Sequence, residues 1–313
     1  MNNKHTITLI IPLLNEEDSI DFLVDQLNKY FAKINAFNAE VIFVNDGSSD
    51  NTVQKLSNAN HDYYKAKVCS LSKNFGSHAA LRAGILHATG DFICFLFADL
   101  QDPVELVGRL YETISNNFDI VWAKRKSTRN TFVNNFFSKR YASLMKKYVS
   151  PLFPEQGFDI VMFSKKVAAE LNHNIENNSS IFLQILTLGY SQNCIEYEKI
   201  SRKIGKSKWT LAKKIKLFID SFVAFSYTPI RFVTIMGIVF STGGFIWTIY
   251  VLARTLLIGN VSPGWPALIS VLLIGFGITN ISLGIVAEYL WRTLDASRRR
   301  PVFIIDEIIE LSK

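Results

Sequence analysis

The stretch FICFLFADLQDP, residues 92–103, carries an apolar run that ends abruptly in carboxylates. Residues 92–98 are apolar throughout, which is typical of a strand buried on both faces in a helix-covered parallel sheet. Asp99 and Asp102 follow at once, with Gln101 between them. Ligands of such sheets bind outside the carboxyl ends of the strands. The stretch therefore predicts an α/β sheet with an oxygen-rich site at its edge.

The sequence before residue 92 repeats this pattern. Three further apolar stretches predict strands, each followed by a helical pattern: residues 6–14, 41–44 and 67–71. Polar side chains follow each predicted strand: Asn15 and Glu16, Asp46 and Asp50, Lys73 and Asn74. Strands that alternate with helices indicate a mostly parallel sheet, and the carboxyl ends of its strands meet at one edge. We expect these polar side chains to line that edge.

The acids that end the fourth predicted strand are candidate metal ligands. Asp99 and Gln101 supply the hard oxygen donors that Mg²⁺ or Mn²⁺ prefers, and such ions take their remaining ligands from substrate phosphates. An alternative is that Asp102 caps a helix that begins at Pro103. That alternative leaves Asp99 unexplained, so a metal site is the interpretation we favour.

Two further clusters point to a nucleotide. Asp46 is suited to accept hydrogen bonds from a base or ribose, although Asp46 and Asp50 are equally explained as turn and cap residues. Lys73 and Asn74 add a cation and an amide beside the flexible Gly76. The polar groups at these strand ends suit phosphate or ribose.

A basic cluster follows a fifth predicted strand, DIVWA at 119–123. Its members are Arg125, Lys126, Arg129 and Arg140. Charge runs are often solvated surfaces, but this one follows another strand end and is therefore expected at the same edge. An acidic metal site on one side and a basic cluster on the other suit a diphosphate donor and an anionic acceptor.

The whole chain has 313 residues, a net charge of +7 and 49% hydrophobic residues. Its length predicts more than one structural unit. Its positive charge indicates an anionic partner. Composition alone does not distinguish among a nucleic acid, a phosphate-bearing substrate and a lipid surface. The placement of the basic residues favours the last two, and we expect no nucleic-acid partner. The N-terminus lacks the features of a signal peptide, so the first domain is expected in the cytoplasm.

Two long apolar stretches occupy the C-terminal third. Residues 232–258 contain one charge, Arg254, and residues 265–287 contain none. Each exceeds the roughly 20 residues that cross a hydrocarbon layer as a helix. Lysines and arginines flank the pair on both outer sides, so the positive-inside rule places both flanks in the cytoplasm. The sequence predicts a multi-pass protein of the inner, cytoplasmic membrane.

A basic amphipathic segment precedes the first apolar stretch. Residues 206–229 place Trp209, Leu211 and Ile215 on one helical face with lysines beside them. Such a segment is expected to lie in the surface of an anionic leaflet. The alternative is an ordinary amphipathic helix packed on the preceding domain.

These patterns divide the chain into four parts. We predict a cytoplasmic catalytic domain at 1–205, an amphipathic segment at 206–230, a transmembrane hairpin at 231–290 and a cytoplasmic tail at 291–313. The spans of the hairpin are predicted at about 232–258 and 265–289.

Seven motifs together resemble a known family: IPLLNEE, VIFVNDGSSDNT, LSKNFGSHAALRAGILHATGDF, ADLQDP, RKIGKSKWT, FSYTPIR and EYLWRTLDASRRRPVF. They are similar to family 2 glycosyltransferases with the nucleotide-sugar fold called GT-A. The resemblance is strongest to the polyprenyl-phosphate glycosyltransferases, which include dolichol-phosphate mannose synthase and bacterial undecaprenyl-phosphate glucosyltransferases. It covers nearly the whole chain and implies an inverting hexosyltransferase with a polyprenyl-phosphate acceptor, a bilayer partner and a Mg²⁺ or Mn²⁺ cofactor.

The resemblance also implies roles for individual residues. Asp99 and Gln101 would hold the metal, and Asp102 and Asp159 would lie at the reacting centre, Asp159 as a base or as an orienter of the acceptor. The nucleotide sugar would be bound by Leu13, Asn15, Glu16, Asp46, Lys73 and Asn74. The acceptor phosphate would be received by Arg125, Lys126, Arg129, Arg140, Arg202 and Lys208.

One position departs from the family pattern. Phe97 stands where the family usually has an aspartate. A non-catalytic, membrane-anchored nucleotide-binding protein is therefore the alternative to an enzyme. We favour the enzyme, because Asp99, Gln101 and Asp102 are present.

Two further classes fit the sequence less well. A processive polysaccharide synthase would carry more apolar spans and a Gln-x-x-Arg-Trp motif, and a dehydrogenase would carry G-x-G-x-x-G after its first strand. Neither motif is present. The sequence leaves open the sugar, UDP against GDP, and a homo-oligomer; UDP-glucose or a related UDP-hexose is the donor we expect.

Overall fold

The computed structural model describes residues 4–126, 142–147, 150–151, 153, 158–175, 179–198, 228–258, 264–298 and 300–311. The chain forms two compact units. The first contains residues 1–221 together with 301–313, and the second contains residues 222–300. The end of the chain thus returns to the unit in which the chain began.

The first unit is built on one sheet. Its strands within the described ranges are β1 (Thr6–Leu13), β2 (Asn38–Asn45), β3 (Lys65–Leu71), β4 (Phe92–Phe95), β5 (Ile120–Arg125), β6 (Phe158–Ser164), β7 (Gln192–Tyr197) and β8 (Ile305–Glu310). Its helices are α1 (Ile20–Phe31), α2 (Thr52–Asn58), α3 (Ser77–His87), α4 (Leu106–Ile114), α5 (Lys165–His173) and α6 (Ile181–Thr187). Residues 142–147 are also helical.

The strands lie in the order β7-β5-β6-β4-β1-β2-β3-β8. Six of them run in the same direction, and β6 and β8 run against their neighbours. This confirms the predicted α/β class with a mostly parallel sheet. The carboxyl ends of β1 to β5 and β7 meet at one edge, which we name the C-edge, and the opposite edge is the N-edge.

Hydrophobic burial holds the helices against the sheet. The strands β1 and β2 are almost entirely buried, and α1 packs one face on them with residues spaced three and four apart. Each fully buried aliphatic side chain stabilises the fold by about 1.5–3 kcal/mol. Four apolar residues recur in α1 with helical spacing, and all of them are buried: Ile20, Leu23, Val24 and Leu27.

The fourth strand is shorter than predicted. β4 ends at Phe95, although Leu96 still donates a backbone hydrogen bond to the Ile10 carbonyl at 3.1 Å. After Leu96 the chain turns, and Leu100 has a positive φ of 43°. An apolar run shows how far burial extends but not where strand pairing stops.

The last strand was not predicted from the sequence. β8 pairs antiparallel with β3, and Leu311 donates its backbone N–H to the Ala66 carbonyl at 2.8 Å. Ile309 and Leu311 pack against the core, while Ile308 is 41% exposed. The six residues of β8 include three acids, so their hydrophobic pattern is too weak to predict a strand. Their pairing partner, β3, lies more than 200 residues away and gives no local signal.

The second unit contains the helices α7 (Thr228–Ile258) and α8 (Trp265–Arg298). By length and composition both are able to cross a membrane, over Ile230–Val251 and Ile274–Arg298 within the part of the chain that the structure describes. Large apolar side chains on them are exposed, Leu256 by 84%. The predicted amphipathic segment, 206–229, lies almost wholly outside the described residues.

Candidate functional site

The loops that follow β1 and β2 are joined at the C-edge. The Asn15 side-chain oxygen accepts a hydrogen bond from the Ser49 N–H at 2.8 Å, and the Asn15 N–H donates to Ser48 Oγ at 2.9 Å. Asn15 has a left-handed φ of 50°, which asparagine tolerates better than most residues. Asn15 therefore sets the spacing of two loops as well as standing exposed at the edge.

Asp50 braces the same pair of loops. Its carboxylate accepts from the backbone N–H groups of Glu17 at 3.2 Å and Thr52 at 3.1 Å. Burial acts to raise the pKa of Asp50, but these hydrogen bonds and one from the Thr52 hydroxyl outweigh it and lower the pKa. The Thr52 hydroxyl also accepts the Glu16 N–H at 2.9 Å. Asp50 thus holds the start of α2 against the loop after β1.

Asp46 holds the third loop. It is 3% exposed, and its two carboxylate oxygens accept the backbone N–H groups of Phe75 at 2.7 Å and Gly76 at 2.9 Å. Burial raises the pKa of this carboxyl, opposed by the two hydrogen bonds. Asp46 therefore fixes the loop that carries Lys73 and Asn74, and its contact with a base or ribose stays a prediction.

Gly47 allows this loop to approach. Its φ is 71°, and a Cβ placed there would lie 2.6 Å from the Lys73 carbonyl carbon and 2.7 Å from the Asn74 nitrogen. A side chain would therefore meet both an unfavourable backbone conformation and a backbone clash. Within the loop, Lys73 is exposed and its ammonium lies 5.1 Å from the Phe75 ring centre.

Two other predicted donor-side residues differ in exposure. Leu13 is 1% exposed and belongs to the core, and its carbonyl accepts the Asp46 N–H at 2.8 Å. Leu13 thus holds the start of the loop after β2 through its backbone. Glu16 is half-buried, and its carboxylate accepts the Ser19 hydroxyl at 3.0 Å.

Asp99 and Gln101 lie in the turn after β4. The Gln101 N–H donates to Asp99 Oδ1 at a long 3.3 Å, and Leu100 between them takes the left-handed conformation. One carboxylate and one amide in a single turn form a hard-oxygen donor set, which fits a divalent cation that takes most of its ligands from substrate phosphates. Within the described ranges no group of three or more His, Cys, Asp or Glu residues forms a larger metal site.

Asp102 follows directly after this turn. It is 1% exposed, and its Oδ1 accepts the Tyr197 hydroxyl at 2.5 Å. The helix after it, α4, begins at Leu106 and not at Pro103, and its first residues receive no side-chain cap. Asp102 is thus a buried partner of β7, and its place at the reacting centre stays a prediction.

Arg125 ends β5 at the same edge. It pairs in register with Tyr197 of β7, and the next residue, the exposed Lys126, donates its N–H to the Tyr197 carbonyl at 2.9 Å. Burial and the Asp102 carboxylate raise the pKa of Tyr197, and the positive charge of Arg125 opposes them. The register of β5 and β7 therefore brings Arg125 next to the tyrosine that Asp102 binds.

Asp159 lies near the start of β6. The register shifts there, since Ala123 pairs with Ile160 and Lys124 pairs with Phe158. Asp159 is the extra residue at this bulge, and bulges are frequent beside active sites. Because β6 is antiparallel, Asp159 stands at the C-edge together with the end of β5.

Four predicted acceptor-side residues lie outside the described ranges: Arg129, Arg140, Arg202 and Lys208. Tyr197 was not predicted. A tyrosine that closes a half-polar edge strand is a weak signal, since a buried hydroxyl needs a hydrogen-bond partner but its identity is not encoded locally.

The chain matches the family model described as "Glycosyl transferase family 2" over residues 8–172. It is 30% identical to "Bactoprenol glucosyl transferase" of Shigella phage SfV, over 96% of this chain and 97% of the relative. It is 27% identical to "Undecaprenyl-phosphate 4-deoxy-4-formamido-L-arabinose transferase" of Proteus mirabilis strain HI4320, over 98% of this chain and 95% of the relative.

A solved structure shares the fold. Glucosyl-3-phosphoglycerate synthase from Mycobacterium tuberculosis, crystallised with Mn²⁺, UDP-glucose and phosphoglyceric acid, has a TM-score of 0.50 and 15% identity, covering 70% of this chain and 79% of that one. The shared fold agrees with the family match. The chain therefore belongs to glycosyl transferase family 2 and is a glycosyltransferase with the GT-A fold.

Proposed function

We propose that this glycosyltransferase transfers a sugar from a nucleotide sugar to a polyprenyl phosphate at a membrane surface. The observation that carries the proposal is the composition of the C-edge, where the loops of β1 to β4 offer donor-type groups and Arg125 of β5 offers a cation. The names of the relatives support a polyprenyl acceptor. A UDP-hexose such as UDP-glucose is the proposed donor, since a glucosyl transferase is among those relatives.

The donor side is formed by three braced loops. Asn15 and Asp50 fix the loops after β1 and β2, and Asp46 fixes the loop that exposes Lys73. Most of these polar groups are engaged with backbone, so the nucleotide would be recognised by a rigid edge with few mobile side chains. Rigid positioning is what a transfer between two bound reactants requires.

The proposed acceptor side is inferred from the charges of the acceptor phosphate and of the residues at the end of β5. A phosphate monoester is already anionic at neutral pH, so attack on the sugar needs little help from a base. Arg125 and Lys126 would bind and orient this anion, and Asp159 would act as a base or orienter at the bulge. Asp99 and Gln101 would hold a Mg²⁺ or Mn²⁺ ion, which when bound neutralises the departing diphosphate. The expected outcome is inversion at the anomeric carbon.

The two apolar helices support the membrane location. Their exposed aliphatic and aromatic side chains would be unfavourable in water but suit hydrocarbon. The chain also re-enters the sheet through β8 after α8, so any crossings between residues 222 and 300 must be even in number. This favours a hairpin with both flanks on one face, and the basic flanks support the proposal that this is the cytoplasmic face of the inner membrane. A homo-oligomer stays a prediction.

The direct test is a donor panel. Membranes that contain the full chain are incubated with undecaprenyl phosphate and radiolabelled nucleotide sugars, and label is sought in the lipid fraction. Label from one donor, dependent on the lipid phosphate, supports the proposal. Tight nucleotide binding without transfer to lipid would favour the non-catalytic alternative, whose support is Phe97.

The metal assignment is tested by Asp99→Asn. We expect kcat/KM to fall by about 100-fold, the size seen when one electrostatic contact of a transition state is removed. Added Mn²⁺ should restore part of the lost activity, because the side-chain oxygen of asparagine is still a weak metal ligand. The matched control is Asp91→Asn, which changes an acid before the same strand, at the N-edge, where Asp91 accepts the Thr6 N–H at 2.8 Å. Full activity of Asp99→Asn without extra Mn²⁺ would refute the assignment.

A further inference from the structure

We propose that α8 carries, around Asn280, a surface on which a second copy of this chain docks within the membrane, with the two Asn280 amides hydrogen-bonded to each other. The inference rests on the proposed membrane location, because Asn280 needs a protein partner only where water is absent. It does not depend on the reaction that the first unit catalyses.

Asn280 is a polar side chain inside an apolar span. It lies within the candidate span Ile274–Arg298, and residues 265–287 contain no charge. Glu288, the first charged residue of α8, follows eight residues later, which is about 12 Å along a helix axis. A short side chain at this depth does not reach the lipid headgroups. The Asn280 amide therefore lies in hydrocarbon, where a polar group without a hydrogen bond is costly.

The hydroxyl side chains next to Asn280 bond to their own helix, whereas Asn280 does not. Thr279 Oγ1 donates to the Gly275 carbonyl at 2.9 Å, and Ser282 Oγ donates to the Ile278 carbonyl at 2.8 Å. A hydroxyl close to the backbone reaches the carbonyl four residues earlier, so it stays satisfied in lipid. Among the residues that the structure describes, none is hydrogen-bonded to the Asn280 side chain.

Asn280 faces away from the packed side of α8. Four half-buried residues share one face of the helix, spaced three and four apart: Ile278, Ser282, Ile285 and Tyr289. At 3.6 residues per turn, Asn280 lies roughly 140–200° around the axis from them. Asn280 itself is exposed. The contact between α7 and α8 therefore leaves the Asn280 side open within the described part of the hairpin.

Two glycines lie on the same side as Asn280. Gly277 is three residues before it and Gly284 four residues after it, and both are exposed. A Cβ placed at either glycine would meet no other described part of the chain within 4 Å, so packing inside the hairpin does not require a glycine there. Small residues let two membrane helices approach closely enough to exchange side-chain hydrogen bonds. Beside the unsatisfied amide, they leave room for another helix.

The match of this surface with itself identifies the partner as a second copy. Copies of one chain insert in the same orientation, so their α8 helices run parallel and their Asn280 side chains lie at the same depth. A twofold axis along the membrane normal then brings the two amides together. Each amide has N–H donors and a carbonyl acceptor, so the pair can donate to each other reciprocally. A lipid acyl chain offers no hydrogen-bonding group at all.

The first test is the dissociation constant of the full-length dimer, measured by sedimentation equilibrium in density-matched detergent micelles. Asn280→Leu removes the amide and makes the span more apolar, so insertion is retained. We expect the dissociation constant to rise about tenfold, the equivalent of two hydrogen bonds between membrane helices. Asn280→Gln keeps an amide and should stay within about threefold of the wild type.

The matched control for this test is Ser282→Ala. It removes a polar group from the same helix, but from the packed face, and should leave the dissociation constant unchanged. A monomeric wild type, or equal dissociation constants for the wild type and Asn280→Leu, would overturn the inference. Equal weakening by Ser282→Ala and Asn280→Leu would also overturn it, because the effect would then not belong to the Asn280 face.

The second test locates the surface in native membranes by oxidative cross-linking of the full chain. Ala287→Cys places a thiol seven residues after Asn280, on the same face, in a Cys194→Ser background that leaves only the buried Cys69 and Cys94. The control is Val286→Cys at the same depth, because Val286 is 47% exposed but lies about 120° away around the axis.

With copper phenanthroline as the oxidant, we expect Ala287→Cys to form disulfide-linked dimers severalfold faster than Val286→Cys. Equal rates, or a cross-link to a different protein in place of the dimer, would overturn the inference. Sugar transfer to lipid is read in the same membranes. Transfer without dimers would refute this inference alone, whereas dimers without transfer would refute the proposed function alone.

Discussion

The two edges of the same sheet use charged side chains in opposite ways. At the N-edge, Lys67 Nζ donates to Glu40 Oε1 at 2.9 Å and to the His87 carbonyl at 2.9 Å, and the Thr8 hydroxyl donates to Glu40 Oε2. Both charged side chains are nearly buried. At the C-edge, Asp46 and Asp50 instead accept backbone N–H groups, and Asp102 accepts a tyrosine hydroxyl.

This difference separates charged residues that stabilise the fold, at the N-edge, from charged residues that position the loops of the site, at the C-edge. An ion pair whose partners satisfy each other has few groups left for a ligand, and the N-edge network joins β1, β2, β3 and the chain after α3. Carboxylates that hold backbone N–H groups keep neighbouring loops at a set spacing, so the exposed side chains of those loops stand in fixed positions. Substitutions at the two edges should therefore have separable effects on unfolding and on substrate use.

The largest expected effect is on stability at the N-edge. Glu40→Gln should lower the free energy of unfolding by about 3 kcal/mol, since it leaves Lys67 buried without its charge partner. Urea unfolding measures this. The donor KM of the folded fraction should not change. The control is Asp21→Asn, which removes an exposed pair with Lys55 at 2.9 Å and should cost less than about 1 kcal/mol.

The pH dependence of the same variant sharpens the test. Burial acts to raise the pKa of Glu40, but hydrogen bonds from Thr8, the Thr89 N–H and Lys67 outweigh it and lower the pKa from its ordinary 4.5. A depressed folded pKa gives stability that is present above the unfolded pKa and is lost as the pH falls through the folded pKa. Wild-type stability should fall on acidification below about 4.5 more steeply than that of Glu40→Gln. Parallel curves would contradict the pairing.

An intermediate effect is expected at the C-edge. Asp46→Asn should lower stability by about 2 kcal/mol, because an amide accepts only one of the two N–H groups and turns its own N–H groups toward the other. Here, unlike at the N-edge, the donor KM should rise as well, since the loop with Lys73 loses its anchor. Initial rates at varied nucleotide-sugar concentration measure this. A stability loss with an unchanged donor KM would place Asp46 with the N-edge network.

The smallest effect is expected at β8. Ile309→Asp replaces a half-buried aliphatic side chain by a carboxylate that can reach solvent, and should lower stability by about 1.5 kcal/mol, the value of burying one aliphatic side chain. Ile308→Asp, on the exposed face of the same strand, is the control. Hydrogen exchange of residues 65–72 should accelerate in the first variant alone, because Ser72 donates its N–H to the Ile304 carbonyl at 3.0 Å. Equal exchange in both would show that β8 does not protect β3.

Much of the fold was predictable from local patterns. The apolar runs that became β1 to β5 and the spacing that became α1 needed no knowledge of the rest of the chain, since burial on two faces leaves a direct trace in composition. The strand ends also identified Asn15, Asp46 and Asp99 as edge residues. β8 and Tyr197 could not be found in this way, because their partners, β3 and Asp102, are distant in sequence and no local pattern names them.

The sequence by itself determined the α/β class, the edge at which the site lies, the two apolar helices and the family. These follow from periodicity, burial and motif order, which are properties of short segments. Only the tertiary structure decided which carboxylates point outward. Asp46 and Asp102 are chemically equal to Asp99 in the sequence, but once folded they accept hydrogen bonds from Phe75, Gly76 and Tyr197. The reason is physical: a buried carboxylate must find donors, and only the packing of distant segments supplies them.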